Sequence, residues 1–581
     1  MPRPVATPPR TPPGRPSRTF SNPVLPGFHP DPSICRVGQD FYLVTSSFEY
    51  FPGVPIFHSR DLVRWSQLGH VLTRPSQLRL HRARSSGGIY APTIRHAHGR
   101  FYVITTNVSG RGNFYVTARD PAGPWSDPVW LDREGIDPSL HFERGRVFYT
   151  RNGRGRDPDH PRIHQGLLVG APTPHVPARR RGGPPWLRPI WDGLGGIWPE
   201  GPHLFVRDGL YYLLTAEGGT SYGHSVVIAR GPSPDGPFES FPGNPILTHR
   251  DRPRDPFQAL GHADFVELED GSTWAVCLGI RPQGGRHHHL GRETFLAPVT
   301  WTADGWPVIG RRGRMSRRFA APRFARASSS PALSSASSPG PAARDIDEVW
   351  RDDFDASALR PEWSFLRNPR ARDWSLVARP GALRLRGSAV CLTEVDAPAF
   401  VGRRQQHFDC VVRVQVEFEP RGADEEAGLA IFANENFHYT LSIRRAPPPT
   451  ASRGPGAARR VAVVAARVGG QTRVVGRYPL PDRGPVILGL RATARDYRFF
   501  VEAGAATRWS RRLSTRNLSS ETIWRSGQSY FTGVFLALFA SGNGTRAEVP
   551  ADFDWVEYLP TRTSSTSTPP PSGSRRRARS T

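Results

Sequence analysis

Apolar and polar positions alternate with a period of two along most of this chain, and the alternation comes in short runs broken by Gly, Asp and Pro. Five runs share a layout. "DPSICRVGQDFYLVTS" starts at Asp31, "APTIRHAHGRFYVITT" at Ala91, "DPSLHFERGRVFYTRN" at Asp137, "EGPHLFVRDGLYYLLTA" at Glu200 and "HADFVELEDGSTWAVCL" at His262. Each reads as a short apolar strand, a turn containing Gly or Asp, and a second strand rich in aromatic and β-branched residues, which is a hairpin signature. The starts are spaced by 60, 46, 63 and 62 residues. Antiparallel units repeating at this length predict a β-propeller, with five units giving five blades and the third the least regular.

Farther along, the alternation continues without that repeat. "GALRLRG" (381–387), "FDCVVRVQVEFEP" (408–420), "AGLAIFANENFHYTLSI" (427–443), "RVAVVAARVG" (460–469), "YFTGVFLALFAS" (530–541) and "ADFDWVEYL" (551–559) are period-2 strands, and no helical stretch is apparent. They predict a β-sandwich of the concanavalin or lectin-like kind, so the fold class is all-β throughout. Composition places the boundaries. Residues 1–20 form a Pro/Arg-rich arm expected to be disordered, 21–319 the propeller, 320–344 a Ser/Pro/Ala-rich linker, 345–559 the sandwich and 560–581 a basic tail.

The net charge is +26, and all 77 basic residues are arginine. Such a balance invites a nucleic-acid reading. The arginines are scattered, however, with runs confined to expected loops and tails, and no groove-reading motif accompanies them. The expectation is therefore no nucleic-acid partner. There is no apolar stretch of about 20 residues and no apolar leader, so neither a membrane span nor secretion is expected and the default location is cytoplasmic. The four cysteines are far apart and form no CxxC pair, which argues against a thiolate metal site or a disulfide framework.

Charge acquires meaning at the repeat. In a propeller the first strand of each blade lines the central axis, so equivalent positions at its entrance converge on one funnel. Those positions hold Asp31, Ala91, Asp137, Glu200 and His262. Three carboxylates and a histidine at such points exceed what turn capping needs. Paired carboxylates around a funnel suit glycosidic bond hydrolysis: one acid protonates the leaving oxygen while a carboxylate activates water or attacks carbon. Phe48, Tyr50, Phe51, Tyr90 and Trp198 are candidate apolar walls for a sugar, although each alone is more often core.

The segments "NPVLPGFHPDPSI", "SSFEYFPGVPIFHSRDLVRW", "SGGIYAPTI", "GIDPSL", "EGPHL", "YYLLTAEGGTSYGHS", "GHADFVE" and "LGRETFL" run in order over residues 22–297. Together they resemble glycoside hydrolase family 43, in particular its β-xylosidase branch. "RRQQHF", "AGLAIFANENFHY", "FTG" and "ADFDWVEY" resemble that branch's accessory sandwich. The resemblance implies a five-bladed propeller and an inverting mechanism. It implies Asp31 as general base, Glu200 as general acid and Asp137 as the carboxylate that raises the acid's pKa and orients substrate. It implies Arg292 as the sugar-contacting arginine, Phe48 as a wall of the terminal-sugar pocket, and His262 as an axial histidine. No cofactor is required on this reading; a calcium ion held through water at His262 is left open, as is a homo-oligomer.

This sequence departs from the family at "GIYAPTI", where Tyr90 stands for a pocket Trp and Thr93 for an Asp, so Tyr90 is a candidate specificity residue. Segment 151–190 is Arg/Pro/Gly-rich and departs from the usual strands. His287, His288 and His289 are expected in a solvated loop, and Tyr530 or Phe531 is expected to close the pocket from the sandwich. The implied activity is exo-acting release of D-xylose from xylo-oligosaccharides. The alternatives are an α-L-arabinofuranosidase acting on arabinoxylan and, more distantly, a non-catalytic carbohydrate-binding propeller.

Overall fold

The computed structural model describes residues 18–155, 157–170, 173–176, 186–324, 348–446 and 460–561. Most of the N-terminal arm, the linker and the tail lie outside these residues. The N-terminal part is a β-propeller of antiparallel sheets, each with its first four strands in sequence order. The five sheets open with strands Ser33–Val37, Thr93–Ala97, Ser139–Glu143, Glu200–Arg207 and Gln258–Glu267. These first strands neighbour one another in a closed ring. A short strand at Thr19–Ser21 pairs with Arg318–Ala320 and ties the two ends of the ring together.

In three of the sheets the hairpin between the first two strands follows from turn chemistry. Ala97 pairs with Arg100, Glu143 with Arg146 and Arg207 with Leu210, leaving two-residue loops. Their central residues, His98-Gly99, Arg144-Gly145 and Asp208-Gly209, all have positive φ. That is the type I′ geometry, whose twist matches that of the strands and which needs Gly at the second position.

Segment 151–190 does contain sheet, contrary to the expectation. Arg162–Leu168 and Leu187–Trp191 complete the third sheet, because Ile163, Leu168 and Trp191 supply buried apolar faces despite the arginine-rich surroundings.

The C-terminal part is the expected sandwich, with a six-stranded sheet packed on a nine-stranded one. Strand Cys410–Glu417 buries every second residue, as its alternation requires. The sequence showed no helix here, yet Ser520–Arg525 forms one turn and a half. Ser519 caps it, its side chain accepting from the Thr522 amide. Six residues are too few to display a 3.6-residue period.

The two parts share structure. Tyr50–Phe51 pairs with Phe365–Leu366 across the seam. Phe28, Phe48 and Tyr50 from the propeller pack in one cluster with Phe400, Phe432 and Phe535 from the sandwich. Tyr50 is fully buried with its ring stacked 3.8 Å from Phe535. Tyr50 and Phe51, read as candidate sugar walls, are therefore core.

Candidate active site

The residues at the strand entrances converge. Asp137, Glu200 and His262 place side-chain ligand atoms within 4.8 Å of one another. Asp31 joins them through Arg292, whose Nη1 donates to Asp31 Oδ1 at 2.9 Å and whose Nη2 lies 3.4 Å from Oδ2. Ser46 Oγ donates to Asp31 Oδ2 at 2.5 Å. Arg292 Nη1 also reaches Thr220 Oγ1 at 2.9 Å. Asp31 is thus a buried carboxylate with three donors on it, a setting that suits the charged form.

The local backbone explains how these groups leave the ladder. Asp31, Asp137 and His262 all sit at positive φ (54°, 56° and 49°). Glu200 is followed by Gly201 at φ 59°, and a Cβ there would lie 2.8 Å from the His262 ring. Pairing is interrupted between Glu200 and His203 and between Gly261 and Asp264. Beneath the site, Asp264 accepts from Ser33 Oγ at 2.6 Å and pairs with Arg95 Nη1 at 2.7 Å; Arg95 Nη2 lies 3.0 Å from His203 Nδ1. Burial opposes ionisation of Asp264, but Arg95 and His203 hold its carboxyl at about 2. This buried network ties first strands of four sheets together and was not read from the sequence, where Arg95 looked like one more scattered arginine.

Electrostatics separates the carboxyl groups. Burial, then the nearby Asp31 charge, pushes Glu200 up to about 7 against the pull of Arg292. Burial, then Glu200, then Asp31, pushes Asp137 well above the usual carboxylate range. Two carboxyls this close in a buried site keep a proton between them at neutral pH. Asp137 and Glu200 repel each other, and the Asp31 charge adds to the repulsion on both. His262 is held neutral, its pKa lowered chiefly by burial. Calcium takes six to eight oxygen ligands. Asp137, Glu200 and His262 would supply two carboxyl groups and one imidazole to such an ion, leaving most of its shell to water.

Aromatic residues wall the site from both parts of the chain. Phe48 lies 5.2 Å from Tyr90 and 6.1 Å from Phe531, ring centre to ring centre. The Arg292 guanidinium sits 5.5 Å from the Phe48 ring and 5.6 Å from Phe531. The Phe531 amide donates to Ser86 Oγ at 2.8 Å, and its carbonyl lies 3.3 Å from Arg292 Nε. Of the two residues expected to close the pocket, Phe531 lines it and Tyr530 is buried behind it. A cleft of about 780 Å³ leads outward from Tyr90, Glu200 and Phe531 between Trp198 and Trp524. Trp198 is 38% exposed and Trp524 41%, so both indoles are available to a ligand. Trp524 had no sequence signal, being a lone aromatic on a helix too short to notice.

The histidine run is not a solvated loop. His287 and His289 are buried, and His288 Nδ1 lies 2.7 Å from Glu521 Oε1. The His288 amide donates to Glu521 Oε2 at 2.9 Å, and Tyr222 Oη donates to Oε1 at 2.8 Å. The sandwich helix covers this loop, which the sequence of the propeller alone could not reveal.

The model of the glycosyl hydrolases family 43 matches residues 20–307, and that of the beta xylosidase C-terminal concanavalin A-like domain matches residues 351–559. A non-reducing end alpha-L-arabinofuranosidase of Bacteroides ovatus is 44% identical, over 93% of this chain and 95% of its own. A putative beta-xylosidase of Escherichia coli is 34% identical, over 93% of this chain and 99% of its own. Among solved structures, the xylan beta-1,4-xylosidase from Bacillus halodurans superposes with a TM-score of 0.82 at 34% identity, covering 93% of this chain and all of that one.

Proposed function

This chain belongs to glycosyl hydrolase family 43, and on that premise we propose that it is an exo-acting, inverting hydrolase that removes terminal pentosyl residues, with β-D-xylosides of short xylo-oligosaccharides as its first substrate. We read its five sheets as the five blades of the propeller. The observation that carries the proposal is the division among the carboxyl groups. Asp31 is fixed by Arg292 and Ser46 as a charged base, while Glu200 holds its proton up to about pH 7.

In the proposed reaction Asp31 takes a proton from a water as that water attacks the anomeric carbon. Glu200 gives its proton to the departing oxygen, and the bond between that oxygen and the anomeric carbon breaks. Asp137 and Arg292 hold the sugar hydroxyls, and Phe48, Tyr90 and Phe531 enclose the ring and exclude water. Enclosure by Phe531 favours release from chain ends over internal cleavage.

An α-L-arabinofuranosidase is the second reading, favoured by the 44% identity to the Bacteroides ovatus relative of that name. Hydrolysis of xylobiose and of arabinosyl xylo-oligosaccharides, followed by NMR of the first-formed anomer, tests sugar, exo action and stereochemistry together. Xylose appearing first with inverted configuration is the expected result. Arabinose released far faster than xylose reverses the order of the two readings, and product with retained configuration removes Asp31 as base.

A further inference from the structure

At the pocket wall one small residue is held at every polar atom it has. Ser86 is 2% exposed. Its amide donates to Glu49 Oε2 at 3.0 Å. Its hydroxyl oxygen accepts from the Phe531 amide at 2.8 Å, and its carbonyl accepts from the Tyr90 hydroxyl at 3.2 Å. Its backbone is left-handed, at φ 59°. That conformation is strained for a serine and persists only where the surroundings fix it. Here two of the three neighbours that fix it, Tyr90 and Phe531, are walls of the site.

The loop around Ser86 also frames the third wall. Phe48 and Ile89 exchange both backbone hydrogen bonds, at 2.9 and 3.1 Å. Gly88 passes so close that a Cβ on it would stand 2.2 Å from the Phe48 carbonyl oxygen. The same loop is fastened to the sandwich. Arg367 Nε donates to the Ala83 carbonyl at 2.6 Å, the Leu80 amide donates to Asn368 Oδ1 at 2.6 Å, and Ser85 Oγ donates to Glu435. Ser86 is thus where a propeller loop, anchored by the sandwich, meets one wall from each part of the chain.

We infer that Ser86 is a positioning residue for the terminal sugar. Its hydroxyl sets the Phe531 ring, and its carbonyl the Tyr90 ring, at the separations from Phe48 that enclose one sugar. The Phe531 backbone is pinned on two sides, its amide by Ser86 and its carbonyl by Arg292 Nε at 3.3 Å. Removing the Ser86 hydroxyl releases one pin and leaves the Phe531 amide without its acceptor. Asp31 keeps its place, because Arg292 and Ser46 hold it. The expected signature is weaker binding of the sugar with the chemical step preserved. The inference rests on the reading of this cleft as the terminal-sugar pocket of a hydrolase.

Ser86→Ala removes the hydroxyl and leaves the backbone bonds to Glu49 and Tyr90 in place. Kinetics are measured on whichever terminal pentoside, xyloside or arabinoside, the unaltered protein turns over. KM is expected to rise about fivefold with kcat within about twofold of the parent. Inhibition by the free pentose should weaken by the same factor. Ser85→Ala is the control: it breaks a bond between this loop and the sandwich that touches no wall. It should lower the melting temperature without changing KM. In a Phe531→Ala background, where the ring to be positioned is gone, Ser86→Ala should add less than about twofold to KM. A crystal structure of Ser86→Ala should show the Phe531 main chain displaced from residue 86. Should the alanine variant not fold, Ser86→Gly makes the same deletion with a residue suited to the left-handed backbone. Turnover of neither pentoside is a failure of the activity proposed above, and the crystal structure then decides this inference alone. An unchanged KM in Ser86→Ala, an equal rise in Ser85→Ala, or Phe531 and Tyr90 unmoved in the variant's structure overturns it.

Discussion

Asp31, Asp137 and His262 are held in left-handed backbone conformations that cost a non-glycine residue on the order of 1–2 kcal/mol each. The strain recurs at equivalent points of three sheets, which ties it to aiming side chains at the axis and not to any one turn. The sequence showed these positions as unusual because charged residues stood where a structural repeat would carry small ones. It could not show the positive φ, since none is a glycine. Glu200 yields the sharpest expectation. A general acid must be protonated, so kcat should fall as pH rises through about 7, the value to which burial and Asp31 push this group. Glu200→Gln should lose that alkaline limb together with about 10²–10⁴ of the rate on xylobiose. The loss should be much smaller on a dinitrophenyl xyloside, whose leaving group needs no proton. An equal loss on both substrates would remove Glu200 as the acid. Glu49 makes a separate point about stability. Burial raises it to about 8, and its Oε1 has no partner. The folded chain therefore binds a proton there that the unfolded chain releases near pH 4.5. Stability linked to Glu49 is complete below pH 4.5, declines as pH rises from there to about 8, and is constant above. Glu49→Gln, which keeps the hydrogen-bonding shape without the charge, should melt higher than the parent at pH 9, with the advantage gone at pH 4. A Tm difference independent of pH would contradict this.

At the scale of elements, the hairpins were legible because their turns are local: a glycine between two alternating strands fixes both register and twist. The third sheet was the hardest to read, since its outer strands Arg162–Leu168 and Leu187–Trp191 carry arginine and proline among few apolar positions. What the sequence could not give was the helix Ser520–Arg525 and the use made of it. Glu521 is the latch of that helix, taking the His288 amide, the His288 ring and the Tyr222 hydroxyl. Burial opposes its charge, but His288 holds its pKa down at about 2. The helix leads directly to Trp524 and Phe531, so the latch sets where two walls of the cleft stand. Glu521→Ala should destabilise the chain by about 1–3 kcal/mol, since it strands three donors at the seam. It should also raise KM severalfold while changing kcat little, because binding walls move and the carboxyl groups do not. The check is steady-state kinetics beside thermal melting; a change confined to kcat would show that the helix does not position Phe531.

At the scale of the whole molecule, the two-part organisation was plain from the linker composition, but the parts are less separate than a linker suggests. In the sequence Tyr50 stands as a candidate sugar wall and Phe535 within a sandwich strand; in the structure they pack on each other and on Phe28. Composition marks where a chain is loose, not which faces meet across the gap, and that is why the shared core and the histidine run were misjudged together. The catalytic pocket inherits this arrangement, for Phe531 and Trp524 reach it from one part and every carboxyl group from the other. A chain ending at residue 324 would keep Asp31, Asp137, Glu200 and Arg292, and on a strict division into domains it would remain an enzyme. It would also expose Phe28, Tyr50 and Phe51, release Phe48 from Phe531, and leave the Tyr50–Phe51 edge without its partner strand. Three aromatic side chains moved into water cost several kcal/mol at about 25 cal/mol per Å², a large share of what holds a domain of this size. The truncated chain should therefore be aggregation-prone and bind an apolar dye. Any soluble fraction should lose at least 100-fold in kcat/KM on xylobiose, because the pocket is open to water. A soluble truncated propeller that retains the parent's kcat/KM would show that the sandwich is an appendage and that the walls it lends to the site have no part in the reaction.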